Sequence, residues 1–483
     1  MDINFSEIVS TVSGWIWGAP VIIFMMATGL YFSFRTRFLQ ARYLPEMWRM
    51  LFQGRSSASG ISSFQSFALA LSGRVGTGNI AGVATAIALG GPGAVFWMWV
   101  IAFVGAGTAY AEASLGQIYK EKIDGHYRGG PAYYISRGLG SRRFAVAFAV
   151  VTIASLGVLL PGVQSNAICD AFHNSFGADE RLTAALVAAL LAAVIFGGVK
   201  RLARVSGYVT PFMAVGYVAV AAVILVINRA ELPGMFALIF RSAFGMEPAL
   251  GGMLGAAISM GVKRGVFSNE AGQGTAPHAA AACEVPHPAK QGLVQAFSVY
   301  VDTLLVCSAT ALMILSTGMY SVRDAAGEVI FRGGGLPEEV TSYGPVYTQL
   351  AVDASLPGIG SAFVAVALFF FAFTTIMSYY FQAESNVYFL VRHRGRATRA
   401  INILRVAVLV VTYFAAINAM TLAWDMADIG VGLMAWFNLV ALVLLRKTVC
   451  TTFADFEAQL AAGVKEPTFH PGRLGIRDAD EWE

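Results

Sequence analysis

The chain has 483 residues, of which 57% are hydrophobic and 13% are charged, and its formal net charge is +4. A soluble protein of this length carries about twice that charged fraction, so the composition excludes an ordinary soluble domain and indicates a polytopic membrane protein. The basic residues lie in short loops between apolar segments, which argues against nucleic-acid binding. The four cysteines lie far apart without metal-ligand spacing, and no disulfide framework is expected.

Apolar segments recur along the whole chain, and a membrane-spanning helix needs about 20 mostly apolar residues. The first such segment is not followed by a small-residue cleavage site, and residues 1–13 carry no basic cluster, so a cleaved signal peptide is not expected. The sequence predicts eleven spans, at residues 14–34, 62–89, 93–119, 144–172, 182–199, 207–228, 250–282, 291–317, 359–391, 401–419 and 426–445.

The charges in the loops predict how these spans are oriented. Most of the 33 Lys and Arg residues fall on one side, in loops such as 35–55 and 120–143 and in the tail after residue 445. Because positive charge stays cytoplasmic, we expect the N-terminus outside and the C-terminus inside the cell, which requires an odd number of spans. The predicted location is the plasma membrane, which is the inner membrane of a bacterium.

The second predicted span contains the stretch on which the functional prediction depends. Ser72–Gly82 reads SGRVGTGNIAG, in which the glycines make a poor helix and Arg74, Thr77 and Asn79 bring polar groups to membrane depth. Backbone leaves a helix at that depth only where protein or water satisfies its polar groups. We therefore expect a broken helix whose free N–H and C=O groups face a cargo. The alternative is a Gly-rich helix that packs closely against a neighbour.

The seventh predicted span has a matching interruption, because Gly265–Pro277 reads GVFSNEAGQGTAP inside an apolar run. Two interrupted segments in corresponding positions of two halves indicate a transporter binding site. Spans 2–6 and 7–11 each begin with an interrupted helix and run in opposite directions. The predicted fold is therefore an all-α integral membrane protein with an inverted repeat of five and five helices, preceded by one extra helix.

The segments between and after the spans carry structural predictions of their own. In the long external connections we expect an interfacial helix at Met235–Phe244, and at Pro345–Ala354 either a lid helix or a solvated loop. The cytoplasmic tail is expected to be amphipathic at best, over Phe453–Leu460. The predicted domain boundaries follow from the repeat. They are 1–61 for the extra helix and its loop, 62–228 for the first repeat, 229–249 for an external connection, 250–445 for the second repeat and 446–483 for the tail.

The polar groups of the first interruption suit an amino acid and a cation. Backbone N–H groups at 76–78, with the positive end of a half-helix that starts near Asn79, favour a carboxylate. Carbonyl oxygens freed near Ser72 and Val75, together with the side-chain oxygen of Asn79, suit a sodium ion.

Other polar side chains are also predicted at membrane depth. Glu270 should face the bundle interior, because exposing it to lipid costs about 2.5–3.5 kcal/mol. It could bind the cargo, join a cation site or cap the second half-helix. Asp302 is expected to pair with Arg74 inside the bundle, or else to carry an ion or a proton. Gln164, which follows a Pro-Gly kink, is a candidate for cargo contact.

Three hydroxyl-bearing residues of the ninth span, Thr374, Thr375 and Ser378, have two possible roles. They bond to the preceding turn of their own helix, which is common, or they face the second-span carbonyls and complete a cation site. Glu112 and Glu384 lie towards cytoplasmic ends, and we expect them to snorkel or to tie helices together.

Motifs of enzymes are weak in this chain. The glycines of Gly73–Gly78 are not in the order of a dinucleotide-binding loop, and no βαβ unit surrounds them. His278 and His287 have no partner at metal-ligand spacing. We therefore predict no enzyme activity and no cofactor, with sodium serving as a coupling ion.

Four motifs occur together in this chain: Val75–Asn79 (VGTGN), Gly90–Ala94 (GGPGA) followed by Phe96–Trp99 (FWMW), Gly129–Pro131 (GGP) and Gly265–Gly272 (GVFSNEAG). In kind and order they resemble the alanine or glycine:cation symporter family, and the resemblance covers nearly the whole chain. It implies a LeuT-type fold with ten core spans plus one, sodium-coupled uptake, and glycine or alanine as cargo.

The resemblance also implies roles for single residues of the first interruption. The amides of Thr77 and Gly78 would hold the cargo carboxylate, and Asn79 would be a ligand of the sodium nearest the cargo. A second sodium would be bound by the carbonyls of Ser72 and Val75 with the hydroxyls of Thr374, Thr375 or Ser378.

The remaining cargo contacts implied by the resemblance are Gln164, Phe267, Asn269 and Tyr379. Tyr379 departs from the family pattern, since many members carry Trp there. Leu160-Pro161 also departs from it, since Gly-Asn is expected at that point. Both differences bear on the size of the cargo.

The function predicted from these features is sodium-coupled symport of alanine, glycine and similar small neutral amino acids by alternating access. The expected partners are the amino acid, sodium and the lipid bilayer. One alternative is proton coupling through Asp302 or Glu270. Another is a transporter-like sensor that binds an amino acid without net flux.

Overall fold

The computed structural model describes residues 5–53, 59–391, 394–417 and 420–482, and nearly all regular structure in them is helical. The helices of the first half are α1 (Phe5–Ile16), α2 (Ala19–Arg35), α3 (Leu39–Arg42), α4 (Leu44–Leu51), α5 (Ser63–Arg74), α6 (Val83–Gly90), α7 (Gly93–Ile118), α8 (Pro131–Gly138), α9 (Arg142–Ala154), α10 (Leu160–Phe176), α11 (Glu180–Ile195), α12 (Gly198–Ile227) and α13 (Leu232–Ala243). Those of the second half are α14 (Leu254–Asn269), α15 (Ala276–Ala281), α16 (Pro288–Val299), α17 (Ser308–Thr317), α18 (Pro345–Ser355), α19 (Gly360–Leu390), α20 (Arg394–Ala416), α21 (Met420–Leu444) and α22 (Arg446–Ala461). Two antiparallel hairpins pair β1 (Glu121–Ile123) with β2 (His126–Arg128) and β3 (Ser321–Arg323) with β4 (Val329–Arg332).

Eight helical segments of the described chain are long and apolar enough to cross a membrane, so this is a multi-pass membrane protein. Each of them overlaps one predicted span. The three other predicted spans do not form a single helix of sufficient length. The helix of the fifth, α11, has 16 residues, and the second and seventh are each divided into two shorter helices.

The first interruption divides α5 from α6. A capping box starts α5, because Ser62 Oγ accepts from Gln65 N–H at 3.2 Å and Gln65 Oε1 accepts from Ser62 N–H at 3.0 Å. The helix ends at Arg74, and Val75 turns out of it with ψ 90°. A π-helical turn over Gly78–Gly82 then leads into α6. The predicted break in this span is confirmed.

The second interruption divides α14 from α15. After Asn269, Glu270 adopts a left-handed conformation with φ 57°, which is uncommon for a residue with a side chain. Gly272 and Gly274 follow with φ 86° and 82°, where glycine is strongly favoured. Helix α15 begins at Ala276. This break is also confirmed.

The two interruptions touch each other. A Cβ atom on Gly78 would lie 3.1 Å from Ser268 Cα and 3.3 Å from the Phe267 ring, so the two backbones approach closely because Gly78 has no side chain. Farther along α14, Gly261 brings the helix against α7, where an added Cβ would lie 2.6 Å from the carbonyl oxygen of Ala94. Glycines therefore set the distance between the elements that surround the interruptions.

A π-helical turn that the sequence analysis did not predict joins α16 to α17 over Tyr300–Cys307. A π-helical turn closes hydrogen bonds between residues five positions apart. Asp302 and Cys307 consequently face the same side of this segment.

Both predicted connection helices are present with shifted ends. The interfacial helix predicted at Met235–Phe244 is α13, which begins and ends earlier, and the helix predicted at Pro345–Ala354 is α18. The two hairpins were not predicted, because strands of three or four residues show no clear alternation.

The tail is more ordered than predicted. Helix α22 begins well before the predicted Phe453–Leu460. Beyond it, Phe469 N–H donates to the carbonyl oxygen of Pro286 at 3.0 Å, and Trp482 Nε1 donates to the carbonyl oxygen of Gln117 at 2.9 Å. The tail therefore packs against the ends of α7 and α16.

Candidate substrate and cation site

Side-chain oxygens hold the backbone amides that the first interruption frees. Gly76 N–H donates to Asn79 Oδ1 at 2.8 Å, and Thr77 N–H donates to Gln164 Oε1 at 3.0 Å. The side chain of Tyr379 lies beside that of Gln164. The structure thus brings Thr77, Asn79, Gln164 and Tyr379 together at the end of α5, and all of them are buried.

Phe267 and Asn269 approach from the second interruption in different ways. The Phe267 ring lies against Gly78 and has its centroid 5.0 Å from that of Trp424. Asn269 Oδ1 accepts from the N–H of Ala271 at 3.0 Å, within its own turn. Its Nδ2 is buried and has no hydrogen-bond partner in the described part of the chain. Phe267 therefore contacts the first interruption directly, and Asn269 keeps an unused donor.

The carboxylate of Asp302 joins the two interruptions. Its Oδ1 accepts from Asn79 Nδ2 at 2.7 Å, and Ser268 Oγ lies 3.1 and 3.0 Å from its two oxygens. Thr303 Oγ1 donates to Oδ2 at 2.7 Å, and all these side chains are buried. Carboxylate and hydroxyl oxygens therefore lie side by side here, and hard cations prefer oxygen ligands. The Asn79 amide turns its nitrogen to this carboxylate and its oxygen to Gly76 N–H.

The prediction of an ion pair between Arg74 and Asp302 is wrong. Arg74 Nη1 donates to the carbonyl oxygen of Gln295 at 3.0 Å and to Ser298 Oγ. Arg74 precedes Asn79 by more than one turn, so it reaches the α16 segment before the position at which Asn79 meets Asp302. Asp302 instead accepts hydrogen bonds from polar side chains of the two interruptions.

A second group of oxygens meets where α5 and α19 pack together. Thr375 Oγ1 donates to the carbonyl oxygens of Ser72 at 2.9 Å and Val75 at 3.3 Å, and Ser378 Oγ donates to that of Leu69 at 3.0 Å. The carbonyls of Ser72 and Val75 lack helical partners because α5 ends at residue 74, whereas that of Leu69 lies within the helix. The oxygens predicted for a second cation on Ser72, Val75, Thr375 and Ser378 are therefore close together.

Thr374 is not part of this group. Its Oγ1 donates to the carbonyl oxygens of Phe370 at 2.9 Å and Phe371 at 3.1 Å in its own helix. Successive residues of an α-helix point roughly 100° apart, so Thr374 and Thr375 do not both face α5. The sequence analysis gave these hydroxyls two possible roles, and for Thr374 the structure shows the bond to the preceding turn.

Glu270 lies beside the second group of oxygens. Its Oε2 accepts from Thr275 Oγ1 at 2.8 Å, just before α15, but no side chain caps a backbone N–H of this helix, so the capping hydrogen bond considered for Glu270 is not observed. Its Oε1 is buried and has no hydrogen-bond partner among the described residues. A Cβ on Gly73 would lie 3.2 Å from Glu270 Oε2 and 2.8 Å from Ser378 Oγ, so this carboxylate and this hydroxyl both come close to α5 because residue 73 is glycine.

The family model described as "Sodium:alanine symporter family" matches residues 2–471. The chain belongs to the sodium:alanine symporter family. It is therefore a transporter and not an enzyme, in agreement with the sequence analysis.

Relatives within the sodium:alanine symporter family align with almost the whole chain. A putative sodium/proton-dependent alanine carrier protein of Bacillus subtilis is 52% identical over 478 residues, covering 99% of this chain and 98% of the relative. A sodium/proton-dependent alanine carrier protein of Bacillus sp. (strain PS3) is 48% identical over 438 residues, covering 90% and 97%. Among solved structures, a Na+-coupled sialic acid symporter in its substrate-bound outward-open state is similar in fold, with a TM-score of 0.51 and 15% identity over 97% of this chain and 96% of that one.

This member of the sodium:alanine symporter family carries an excess of acidic groups around one buried cation. The guanidinium of Arg74 is 1% exposed and interacts electrostatically with the carboxylates of Glu112, Glu270 and Asp302. One fixed positive charge faces three acidic groups in a medium of low dielectric constant.

Glu112 and Glu384 are buried and do not snorkel. Glu112 Oε2 accepts from Gly274 N–H at 3.1 Å and from Asn438 Nδ2 at 2.8 Å, so it ties α7 to α21 as one of the two alternatives predicted. Glu384 lies 3.7 Å from a guanidinium nitrogen of Arg128, so it ties α19 to strand β2 and not to a second helix.

The sequence analysis assigned no role to three residues around Asp302. Ser268 belongs to the quoted GVFSNEAG motif, and Thr303 directly follows Asp302, so their places in the sequence could have identified both as site residues. Nothing in the sequence pointed to Cys307, yet its Sγ lies 3.2 Å from Asn79 Nδ2 and 3.1 Å from Ser268 Oγ. The π-helical turn, which periodicity does not reveal, is what brings it there.

Proposed function

We propose that this protein is a secondary active symporter that carries alanine, glycine and other small neutral amino acids into the cell together with sodium. The observation that carries the proposal is the buried cluster in which Asn79 and Ser268, from two interrupted helices, both bind Asp302. The names of the Bacillus alanine carriers support the cargo. No covalent step is required.

The proposed architecture has eleven transmembrane helices in the plasma membrane, with the N-terminus outside and the C-terminus in the cytoplasm. It consists of an extra helix and loop (1–61), two inverted repeats of the LeuT type (62–228 and 250–445), their connection (229–249) and a tail (446–483). Two facts support it: each repeat begins with an interrupted helix, and the fold is similar to that of a solved sodium-coupled symporter.

The cargo would bind where Gln164 now caps the first interruption. Its carboxylate would take the place of Gln164 Oε1 on Thr77 N–H, at the positive end of the half-helix that follows. The rings of Phe267 and Tyr379 would limit the space for the cargo side chain to a small group. The proposed cargo contacts are Thr77, Gly78, Asn79, Gln164, Phe267, Asn269 and Tyr379.

Two cation positions are proposed beside the cargo. The first is formed by Asp302 with the hydroxyl oxygens of Ser268 and Thr303, and Asn79 Oδ1 would join it by turning from Gly76 N–H towards the ion. The second is formed by the carbonyls of Ser72 and Val75 with the hydroxyls of Thr375 and Ser378. Thr374 is left out of this second set because its hydroxyl faces its own helix.

Asn79 would couple sodium to the cargo. In the structure its Oδ1 accepts from Gly76 N–H and its Nδ2 donates to Asp302. A sodium ion at Asp302 would draw the amide oxygen to itself, and this would free Gly76 N–H for the cargo carboxylate. Each ligand would then prepare the site for the other, and such coupling is reciprocal in free energy.

Uptake of radiolabelled alanine and glycine into proteoliposomes tests the proposal. We expect accumulation with an inward sodium gradient and none when potassium replaces sodium. Asn79→Ala should abolish accumulation because it removes the residue shared by cation and cargo. Asn174→Ala is the matched control, since the Asn174 side chain is exposed and bonds only to the nearby Asp170 at 3.2 Å.

Three other outcomes would contradict parts of the proposal. Sodium-dependent binding without accumulation would indicate a sensor. Sodium-driven uptake that persists in Asn79→Ala would place the site elsewhere. No response to either amino acid would mean that the space beside Tyr379 accepts another cargo.

Proton coupling is the second candidate, favoured by the words "sodium/proton-dependent" in the names of both relatives and by the unpartnered Oε1 of Glu270. Under this alternative a pH gradient drives uptake without sodium, and Glu270→Gln abolishes that uptake. If sodium alone is the coupling ion, Glu270→Gln retains sodium-driven accumulation and a pH gradient has no effect.

A further inference from the structure

The segment that follows α22, residues 466–482, lies across the ends of several helices and is called the terminal segment. Phe469 is 3% exposed, and its ring centroid lies 5.2 Å from that of Trp482. The ammonium group of Lys120 lies over the Trp482 ring at 4.6 Å. An aromatic pair therefore anchors the terminal segment on the side that is cytoplasmic in the proposed orientation.

One set of contacts binds the terminal segment to α7 and α16. Trp482 Nε1 donates to the carbonyl oxygen of Gln117 near the end of α7, at 2.9 Å. Phe469 N–H donates at 3.0 Å to the carbonyl oxygen of Pro286, which lies between α15 and α16. The terminal segment is thereby bound to α7 and to the connection between α15 and α16.

Helices α15 and α16 are in turn fixed to the first interrupted helix. Ser66 Oγ of α5 lies 2.8 Å from the carbonyl oxygen of Ala279 in α15 and 3.0 Å from Oε1 of Gln291 in α16. Gln291 Nε2 donates to Ser63 Oγ, also in α5, at 3.1 Å. Helices α5, α15 and α16 are therefore described as the α5 unit.

A second set of contacts binds the terminal segment to a different group of helices. Arg137 of α8 lies 2.6 Å from Asp480 Oδ2 and donates to the carbonyl oxygen of Asp478 at 3.1 Å. Helix α8 is attached to α19, because the hydroxyl of Tyr133 donates to the carbonyl oxygen of Ser385 at 3.0 Å. Helices α8 and α19 are described as the α19 unit, and the terminal segment joins it to the α5 unit.

The contact between these two units closes the route from the second proposed cation position to the cytoplasm. That position lies between α5 and α19, where Thr375 Oγ1 donates to the carbonyl oxygen of Ser72. Asn386, nearer the cytoplasmic end of α19, is buried and its Nδ2 lies 2.9 Å from a ring nitrogen of His278 in α15. A cation can leave towards the cytoplasm only after such contacts separate.

We propose that the terminal segment is an autoinhibitory contact that holds the cytoplasmic side of the transporter closed. The inference rests on the proposed function, which requires the site to open to each side in turn, and adds a regulatory contact to it. The terminal segment binds both units only while they are together, so it stabilises the closed arrangement. Its release then increases the population that is open to the cytoplasm.

Thiol labelling from the cytoplasmic side tests this contact. Asn386→Cys is introduced into the full chain as a reporter, and inverted membrane vesicles in potassium buffer without alanine are treated with a membrane-impermeant maleimide. Labelling is measured on the peptide that contains residue 386. Adding Trp482→Ala should speed this labelling about fivefold or more, because it removes both the ring contacts and the hydrogen bond to Gln117. Arg473→Gln is the matched control, since Arg473 is an exposed residue of the same segment, and should change nothing.

The ion pair between Arg137 and Asp480 provides a second measurement if Trp482→Ala fails to fold. Asp480→Asn should speed labelling at residue 386 about two- to fivefold, as expected for one partly exposed ion pair. The double variant with Arg137→Gln should be no faster than Arg137→Gln alone, because both substitutions break the same contact. Effects that simply multiply would contradict a joint action of the two side chains.

Cys283 shows whether the units separate or the region unfolds. It is buried, and its Sγ lies 3.2 Å from Gln291 Nε2 in the α5 unit, so it should stay unlabelled when the units separate intact. The inference is overturned if labelling at residue 386 is equally slow in every variant, if Cys283 reacts at the same increased rate, or if Arg473→Gln acts like Trp482→Ala.

Sodium-driven alanine accumulation by the wild type is measured separately and decides the fate of the proposed function. If the wild type accumulates alanine and the labelling rates do not change, the autoinhibitory contact fails and the proposed function stands. If labelling at residue 386 becomes faster but the wild type accumulates no alanine, the contact is supported and the proposed function fails.

Discussion

Asn79 donates a hydrogen bond of 2.7 Å to the carboxylate of Asp302, and through it the first interrupted helix is bound to the π-helical turn between α16 and α17. Ser268, from the second interrupted helix, binds the same carboxylate. A change at Asp302 therefore affects both interruptions at once.

Replacing Asp302 with Asn should leave sodium-driven uptake measurable and raise the sodium concentration needed for half-maximal uptake by about tenfold or more. The reason is that a hydrogen bond to a charged group contributes about 1.5–3 kcal/mol, and the neutral amide loses that charge. Alanine uptake measured over a series of sodium concentrations gives the value. Asp170→Asn is the control, since this carboxylate lies in α10 and accepts a hydrogen bond from Asn174. An unchanged sodium dependence in Asp302→Asn would exclude a cation at Asp302.

Thr375→Val and Thr374→Val should differ, although the two residues are adjacent. Thr375 bonds to the carbonyls of Ser72 and Val75, whereas Thr374 bonds to its own helix. We expect Thr375→Val to weaken sodium activation about tenfold, through loss of one oxygen ligand worth about 1–2 kcal/mol, and Thr374→Val to leave it nearly unchanged. Equal effects of the two substitutions on sodium-activated uptake would remove the second cation from this place.

Gly261→Ala should lower the free energy of unfolding by about 1–3 kcal/mol, because its Cβ would lie 2.6 Å from the carbonyl oxygen of Ala94 and α14 would have to move from α7. Gly255→Ala, in the same helix, meets nothing within 4 Å and should be neutral or stabilising. Thermal unfolding of the purified variants measures the difference. A melting temperature of Gly261→Ala equal to that of Gly255→Ala would show that the two helices are not closely packed there.

Acidification should destabilise the protein through His287, which lies outside the membrane spans. Burial against Phe456 and Phe469 lowers the pKa of His287 from 6.5 to about 4, although Asp455 and its ring nitrogen are 3.2 Å apart. Between these two values the unfolded chain binds a proton that the folded chain does not, so stability falls as pH decreases from 6.5 towards 4. At pH 5 the loss amounts to about 2 kcal/mol.

Melting temperatures of the wild type and His287→Asn between pH 7.5 and pH 5 check this expectation. Asn at this position keeps an acceptor for the N–H of Ala289, which His287 Nδ1 caps at 3.1 Å. The melting temperature of the variant should depend less on pH than that of the wild type, even if it is lower at pH 7.5. Identical pH dependence would mean that the pKa of His287 is the same in the folded and the unfolded protein.

Composition and local chemistry were sufficient to predict both interruptions, because glycines weaken a helix wherever they fall, at 73, 76 and 78 in the first interruption and at 272 and 274 in the second. Which side chains then meet was harder to predict. Whether Thr374 or Thr375 faces α5 depends on the rotation of α19 about its axis, which tertiary packing sets. A π-helical turn changes which residues share the face of Asp302, and an apolar sequence gives no sign of it.

The hydrogen bond between Thr77 N–H and Gln164 Oε1 has a consequence for selectivity. Any ligand that binds this amide replaces an acceptor that is already present. A neutral oxygen, such as that of alaninamide, offers Thr77 nothing better than Gln164 does. A carboxylate does, because charge-assisted hydrogen bonds are roughly twice as strong as neutral ones. The proposed site would thus recognise the negative charge of the ligand's carboxylate, and would reject analogues of the same size and shape that lack it.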